Sequence, residues 1–388
     1  MERLHRTLLP AMLEPDTHAK LARAVEACVE TDRELLDALR REIAPLKASM
    51  RQIQPRRTTA VSLVATDGGN NQLRFDPFLI QLVRVVDSSN NEYCLEAVTP
   101  HTPLEVLEAR HFRDGRGATP LGQMMEFLGV RRLQELSPML RPSSPNRPVS
   151  PSWVGVYREL MEWATLFAIL EKDFASDTLL VFDGLLRSKV FARDLFAKLL
   201  EGMKARIQEK QRSRRNLYLV GMAKHSKVLD RYRLAMRLEG VLDTPYPAYV
   251  EVPREIEEKA YVWSEYARGS EVALEGGEAN KFVGGKMFLV KFGKSRYDPI
   301  WPVDIFEPQK DRAQEILGYL LADAQAGFPI LHYPASLQKA HENAALVGFD
   351  LQVLQDQVFA AIQKSLGKES GALDIFRLQD ADPARRRY

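Results

Sequence analysis

The chain has 388 residues, 45% hydrophobic and 27% charged, with a formal net charge of +2 and two cysteines. That balance is ordinary for a soluble globular protein with a sizeable core. It excludes a disulfide framework and a cysteine-based zinc site, and argues neither for nor against nucleic acid, whose binding needs only a local basic surface. No apolar run approaches the roughly 20 residues that span a bilayer, and no basic segment followed by an apolar one opens the chain, so no membrane association and a cytoplasmic location are expected.

The spacing of Leu21, Val25, Cys28, Val29, Leu35, Leu36, Leu39 and Ile43 predicts a long helix over 16–46, capped by Asp16 or Thr17 and ended by Pro45. Its stripe is narrow and near-heptad, suited either to its own domain or to a dimer or partner surface. Cys28 on this helix and Cys94 in a strand pattern are expected to be buried thiols. Lys47, Arg51, Arg56 and Arg57 form a basic connector.

From Ala60 the pattern changes to strands. Ala-Val-Ser-Leu-Val-Ala-Thr runs into Asp67-Gly68-Gly69, a second strand covers 78–86 before the turn Asp87-Ser88-Ser89-Asn90-Asn91, and 92–99 reads as a third, together an antiparallel meander. A helical region over 103–140 breaks near Gly115-Arg116-Gly117 and restarts with Thr119-Pro120 as cap and first helical position. The Pro- and Ser-rich stretch 141–152 is a loop. An apolar helix over 153–171, carrying Glu159 and Glu162, leads to Thr-Leu-Leu-Val-Phe-Asp183-Gly184, a buried strand ending in a carboxylate. A helix over 189–211 ends in the basic run Lys204 to Arg215. A strand over 217–222, then Ala223-Lys224-His225-Ser226-Lys227, and a helix to about 242 follow.

Three antiparallel strands followed by helix, strand, helix, strand, helix is the ribonuclease H-like pattern: a mixed five-stranded sheet flanked by helices, in which the first and fourth strands are neighbours. Side by side about 4.8 Å apart, those strands bring Asp67 and Asp183 to one small volume. Asp-Gly after a strand is also an ordinary turn, so the two aspartates gain weight only together. Paired carboxylates suit Mn²⁺ or Mg²⁺, and two ions about 4 Å apart can stabilise both the attacking and the leaving oxygen of a phosphodiester. A third acidic ligand is expected, with Glu162 or Glu159 on the preceding helix as candidates, and Lys224 at the fifth strand's end can neutralise phosphate charge. Beyond 242 the pattern predicts helices over 253–268, 309–324, 334–347 and 350–366, a strand over 286–292, and a mobile tail from about 368 to 388. Gly293-Lys294-Ser295 lacks the upstream glycine of a phosphate loop, position 288 being Phe.

With these residues in hand the chain resembles the NurA family of nucleases. The motifs carrying the resemblance are Ala-Thr-Asp67-Gly-Gly, Arg158-Glu-Leu-Met-Glu162-Trp, Leu-Leu-Val-Phe-Asp183-Gly-Leu-Leu-Arg-Ser-Lys, Gly221-Met-Ala-Lys224-His-Ser-Lys and Tyr333-Pro through Ala340-His341-Glu-Asn-Ala, in the family's order. The resemblance implies a metal-dependent DNA exonuclease and single-strand endonuclease that prefers manganese, with two ions held by Asp67, Glu162, Asp183 and His341, and Lys224 and Tyr333 near the scissile phosphate. It also implies a homodimer docking on a hexameric HerA-type translocase in DNA end resection. It divides the chain into an N-terminal helical arm (1–55), a nuclease domain (56–367, with the ribonuclease H-like core at about 60–242) and the tail (368–388). Leu185 stands where the family often has a small polar residue. A non-catalytic DNA-binding or translocase-adaptor subunit on the same scaffold is the competing reading, and a metal-dependent phosphotransferase a third.

Overall fold

The computed structural model describes residues 15–56, 61–75, 78–140, 151–261, 282–345 and 348–373, of which 61–75 are described by their backbone. The expected loop over 141–150, the helix over 262–268, Arg57 and the tail from 374 lie outside the described residues. The chain opens with α1 (Pro15–Thr31) and α2 (Arg33–Ile43), joined at Asp32, whose backbone donates to the Cys28 carbonyl and accepts from Leu36 N–H, so the helix is nearly continuous. Along α1, Leu21, Val25 and Val29 are exposed, and so is Cys28, contrary to the expectation of a buried thiol; only from Leu36 onward does the stripe meet a partner. Cys94 is buried.

Strands β1 (Arg51–Gln52), β2 (Val61–Phe75), β3 (Phe78–Asp87) and β4 (Glu92–Val98) follow. Next come α3 (Leu104–His111), a small hairpin of β5 (Phe112–Arg113) and β6 (Arg116–Gly117), α4 (Pro120–Leu128) and α5 (Leu133–Leu136). Thr119 caps α4 by accepting from Gly122 N–H at 3.2 Å, with Pro120 opening the helix. Then come α6 (Trp153–Glu171), β7 (Asp177–Asp183), α7 (Leu195–Arg212), β8 (Leu217–Met222), α8 (Lys227–Glu239), β9 (Ala248–Glu251) and α9 (Arg254–Ala260). The last elements are β10 (Gly285–Lys291), β11 (Trp301–Phe306), α10 (Ala313–Gln325), α11 (Ala335–Ala344) and α12 (Gly348–Leu366), after which Gly367–Leu373 form a 3₁₀ turn.

One mixed sheet runs in the order β1-β9-β10-β11-β8-β7-β2-β3-β4. Within it β8-β7-β2-β3-β4 carry the expected order, with β2, β7 and β8 parallel and β3 antiparallel to both its neighbours. The sheet is nonetheless nine strands wide among the described residues, which corrects the expected five. The four extra strands extend it past β8, because β11 pairs antiparallel with that strand and continues through β10 and β9 to β1.

The strand alternation sorts the core into layers. Leu180 and Phe182 of β7 join α3 to α7 on one face. Leu179 and Val181 join Tyr218, Val220, α10 and α11 on the other. Leu39, Ile43 and Leu46 pack with α8, β9 and β10, so this part of the expected N-terminal arm is built into the fold. Among the described residues no helix is long and apolar enough to cross a membrane.

Candidate active site

The carboxyl end of β7 and the point where β2 runs on past it define the site; the first strand does not end in a turn at Asp67-Gly68, as its sequence suggested, but continues to Phe75 because its whole length pairs with β3. The parallel pairing of these strands is in register up to Thr66 opposite Phe182, and the next residues are Asp67 and Asp183. The backbone positions of the two aspartates are therefore neighbours at one end of the sheet, about one inter-strand spacing apart. Gly184 follows with φ +138°, a backbone that favours glycine, and its N–H donates to the Met222 carbonyl at 2.9 Å. A Cβ on Gly221 would lie 2.4 Å from the Gly184 carbonyl oxygen, so the turn after Asp183 rests directly on β8.

Asp183 is half-buried on the face shared with α10 and α11. There the Tyr333 hydroxyl donates to Asp183 Oδ1 at 3.2 Å. Lys224, just past β8, holds its Nζ 5.5 Å from the centre of the Tyr333 ring, and Trp301 packs on that ring at 4.9 Å. Tyr333 is in turn fixed from behind: Gln338 Nε2 donates to its carbonyl at 2.9 Å, and Asp323 caps the start of α11 by accepting from Ser336 Oγ at 2.5 Å. Burial pushes the Asp323 carboxyl up against the opposing pull of the Ser336 hydroxyl and N–H. Asp183, Tyr333 and Lys224 are thus brought together from three distant parts of the chain. The supports Trp301, Gln338 and Asp323 carry no sequence signal.

His341 is exposed on α11, which packs over β2, β3 and β7. Two residues on, the Asn343 carbonyl accepts from Arg84, and Asn343 Nδ2 donates to the Asp87 carbonyl at 3.4 Å. Asp87 pairs with Thr66, so the end of α11 that carries His341 lies level with Asp67.

The two helix glutamates differ. Glu162 is half-buried on α6 and forms an ion pair with Arg158, Nε to Oε1 3.2 Å. Glu159 accepts from Ser188 Oγ at 2.5 Å, and burial raises its pKa more than that hydroxyl and Arg158 lower it. Glu159 is therefore engaged in tying α6 to the segment after β7. Both lie on α6, whose apolar side covers the sheet face opposite Tyr333.

Beside the strand ends a cleft of about 330 Å³ opens, lined by Leu185, Ala223, His225, Ser226, Lys227 and Tyr261 among others. The basic run on α7 lies elsewhere and is engaged: Arg206 pairs with Glu171, Lys210 with Asp173 at 2.6 Å, and Arg215 donates to the Phe174 carbonyl at 2.6 Å. Among the described residues no three His, Cys, Asp or Glu side chains form a group able to hold a metal ion, a statement that leaves the Asp67 side chain aside. The donor chemistry of the strand ends, carboxylate oxygens at adjacent positions, fits a hard divalent cation.

The class defined by these features is a mixed α/β fold with an aspartate at the end of a central strand, beside a tyrosine and a lysine and next to a second aspartate on the neighbouring strand. No family model and no curated protein matches the chain. Among solved structures it is similar to the crystal structure of the NurA nuclease from Sulfolobus solfataricus at 13% identity and a TM-score of 0.45, over 92% of this chain and 99% of that one. A crystal structure of NurA with manganese is similar at 12% identity and a TM-score of 0.39, over 88% of this chain and 98% of that one.

Proposed function

We propose that this chain is a divalent-metal-dependent DNA nuclease, an exonuclease and single-strand endonuclease that hydrolyses phosphodiesters in DNA end processing, as a homodimer working with a HerA-type hexameric translocase. The observation that carries the reading is the register of β2 on β7, which makes Asp67 and Asp183 neighbours beside Tyr333 and Lys224. The translocase, the homodimer and the preference for manganese rest on the five motifs of the sequence. Asp67, Glu162, Asp183 and His341 would hold Mn²⁺ or Mg²⁺, which supplies charge neutralisation at the phosphate and a water of lowered pKa. Tyr333 fixes the rotamer of Asp183 through its donated hydrogen bond. Lys224, beside that ring, faces the negative charge that develops on the phosphate. Glu162, on the helix that covers the other sheet face, would have to release Arg158 and reach around the strand end to join the set.

The test is purified full-length chain incubated with Mn²⁺ and either linear duplex or single-stranded DNA, alongside Asp183→Asn. Degradation by the wild type and its loss in the variant are expected. Full activity in the variant removes Asp183 from the mechanism, and inactivity of the wild type on both substrates with Mn²⁺ and Mg²⁺ leaves the adaptor reading in its place.

A further inference from the structure

We propose that two loops beside the candidate active site, 293–298 and 327–332, form a stacking surface for the bases of single-stranded DNA. The inference rests on the nuclease reading and adds to it how substrate is gripped. Tyr297 on the first loop is 81% exposed and Phe328 on the second 78%, with Leu331 and Ile330 next to the latter also exposed. Apolar side chains gathered in this way on a surface mark a contact site.

Their roots converge on Tyr333. His332 Nε2 lies 3.7 Å from Asp298 Oδ1, and Trp301, four residues beyond Tyr297, stacks on Tyr333, the residue after His332. Both loops are braced. Gln338 Oε1 accepts from Ile330 N–H at 2.8 Å while its Nε2 donates to the Ile330 carbonyl at 2.9 Å. Asp298 Oδ2 accepts from Ser295 N–H at 2.7 Å, and Arg237 donates to the carbonyls of Arg296 and Asp298. The rings are presented on ordered backbone, which lowers the entropy cost of using them.

The occupant follows from the charges. Exposed Lys294 and Arg296 precede Tyr297, Arg296 pairing with Asp243 at 3.0 Å with its guanidinium over the Tyr297 ring, and Lys224 lies against Tyr333, so cations neighbour rings both on the loop and at the tyrosine that donates to Asp183. Cations that meet phosphates, interleaved with aromatic faces that meet bases, are the composition of a single-strand groove. A duplex keeps its base faces stacked inside and offers no partner to Phe328 or Tyr297. A strand with splayed bases does.

The experiment measures binding of a fluorescein-labelled single-stranded oligonucleotide by anisotropy, using the full chain carrying Asp183→Asn with Mn²⁺ present. The same is done with Phe328→Ala or Tyr297→Ala added, and with a matched oligonucleotide containing abasic positions. Each alanine is expected to weaken binding about tenfold, the size of one lost base–aromatic stack. Duplex binding should stay within about twofold, and Phe328→Trp should restore the single-strand affinity. Abasic positions should weaken binding by the protein with both rings, and cost the Phe328→Ala variant less, by about the one stack it has already lost. Unchanged affinity in both alanine variants, or equal abasic sensitivity with and without Phe328, overturns the proposal and makes these loops a protein-docking face. If DNA is bound and the chain with Asp183 intact cuts it equally well with and without the loop variants, the stacking surface alone fails. If no DNA is bound or cut, the nuclease reading fails with it.

Discussion

Two aspartates on one sheet have opposite environments. Asp304 on β11 is fully buried; Arg187 grips it through Nε at 2.9 Å and Nη2 at 2.7 Å, and reaches Glu257 through Nη1 at 3.0 Å. Burial works against the charge on Arg187, but attraction to Asp304 and Glu257 outweighs it and holds the guanidinium above its ordinary range. Asp183 on β7 is half-buried on the other face and accepts from a neutral phenol. A carboxylate sealed from solvent and gripped by a guanidinium through two hydrogen bonds has its charge answered where it stands. On the nuclease reading proposed above, the comparison separates an anchor from a working group, two roles for the same residue type with one strand, β8, between them.

The strongest way to break this contrast is Arg187→Met. It leaves Asp304 buried without its cation and Glu257 with Arg254 alone, and should cost about 3–5 kcal/mol of stability in urea unfolding; a variant as stable as the wild type would show that Asp304 is not anchored as described. Asp183→Asn should do the reverse, lowering DNA hydrolysis by about 100-fold or more while changing unfolding by less than about 1 kcal/mol. Tyr333→Phe keeps the ring against Trp301 and removes only the donor to Asp183, so a fall of about 5- to 10-fold in kcat is expected, near 1 kcal/mol, with the melting temperature retained.

The smallest effect sharpens the choice between the helix glutamates. Glu159 has its pKa raised by burial, so the folded state holds its proton more tightly than the unfolded chain does. That contribution is complete below the usual carboxylate range and is lost as pH rises through the folded value. Glu159→Gln should flatten this part of the stability–pH curve and leave hydrolysis within about twofold, whereas Glu162→Gln should impair hydrolysis. The reverse pattern would exchange their roles.

Much of the inner sheet was legible because its strands contain apolar runs, closed by Asp-Gly after β7 and by an Asx-rich turn after β3, signals that act within about ten residues; the same Asp-Gly pair at 67–68 misled, because pairing with β3 carries β2 straight through it. The pairing of the two aspartate strands follows from element order alone. What lay beyond reach depends on partners far apart in sequence. Trp301 to Phe306 contains Pro302 and Asp304, which argue against a strand until Arg187, 117 residues away, is seen to answer the carboxylate. Cys28 carried helical periodicity, but periodicity says which face a residue shares and not whether anything covers that face. Glu159 and Glu162 occupy the same helical stripe, and only the Ser188 hydroxyl tells them apart. The basic run on α7 has the same property: Glu171, the last residue of α6, and Asp173, just after it, answer Arg206 and Lys210 from 35 and 37 residues away.

The glycine at 221 has a wider meaning. Because the peptide after Asp183 lies directly on that residue, with no room for even a methyl group, the ends of β7 and β8 form one mechanical unit. The acidic group on the first and the lysine on the second cannot drift apart independently, and any side chain introduced at 221 would dislodge both at once. A position with no chemistry of its own therefore sets the spacing between charges of opposite sign.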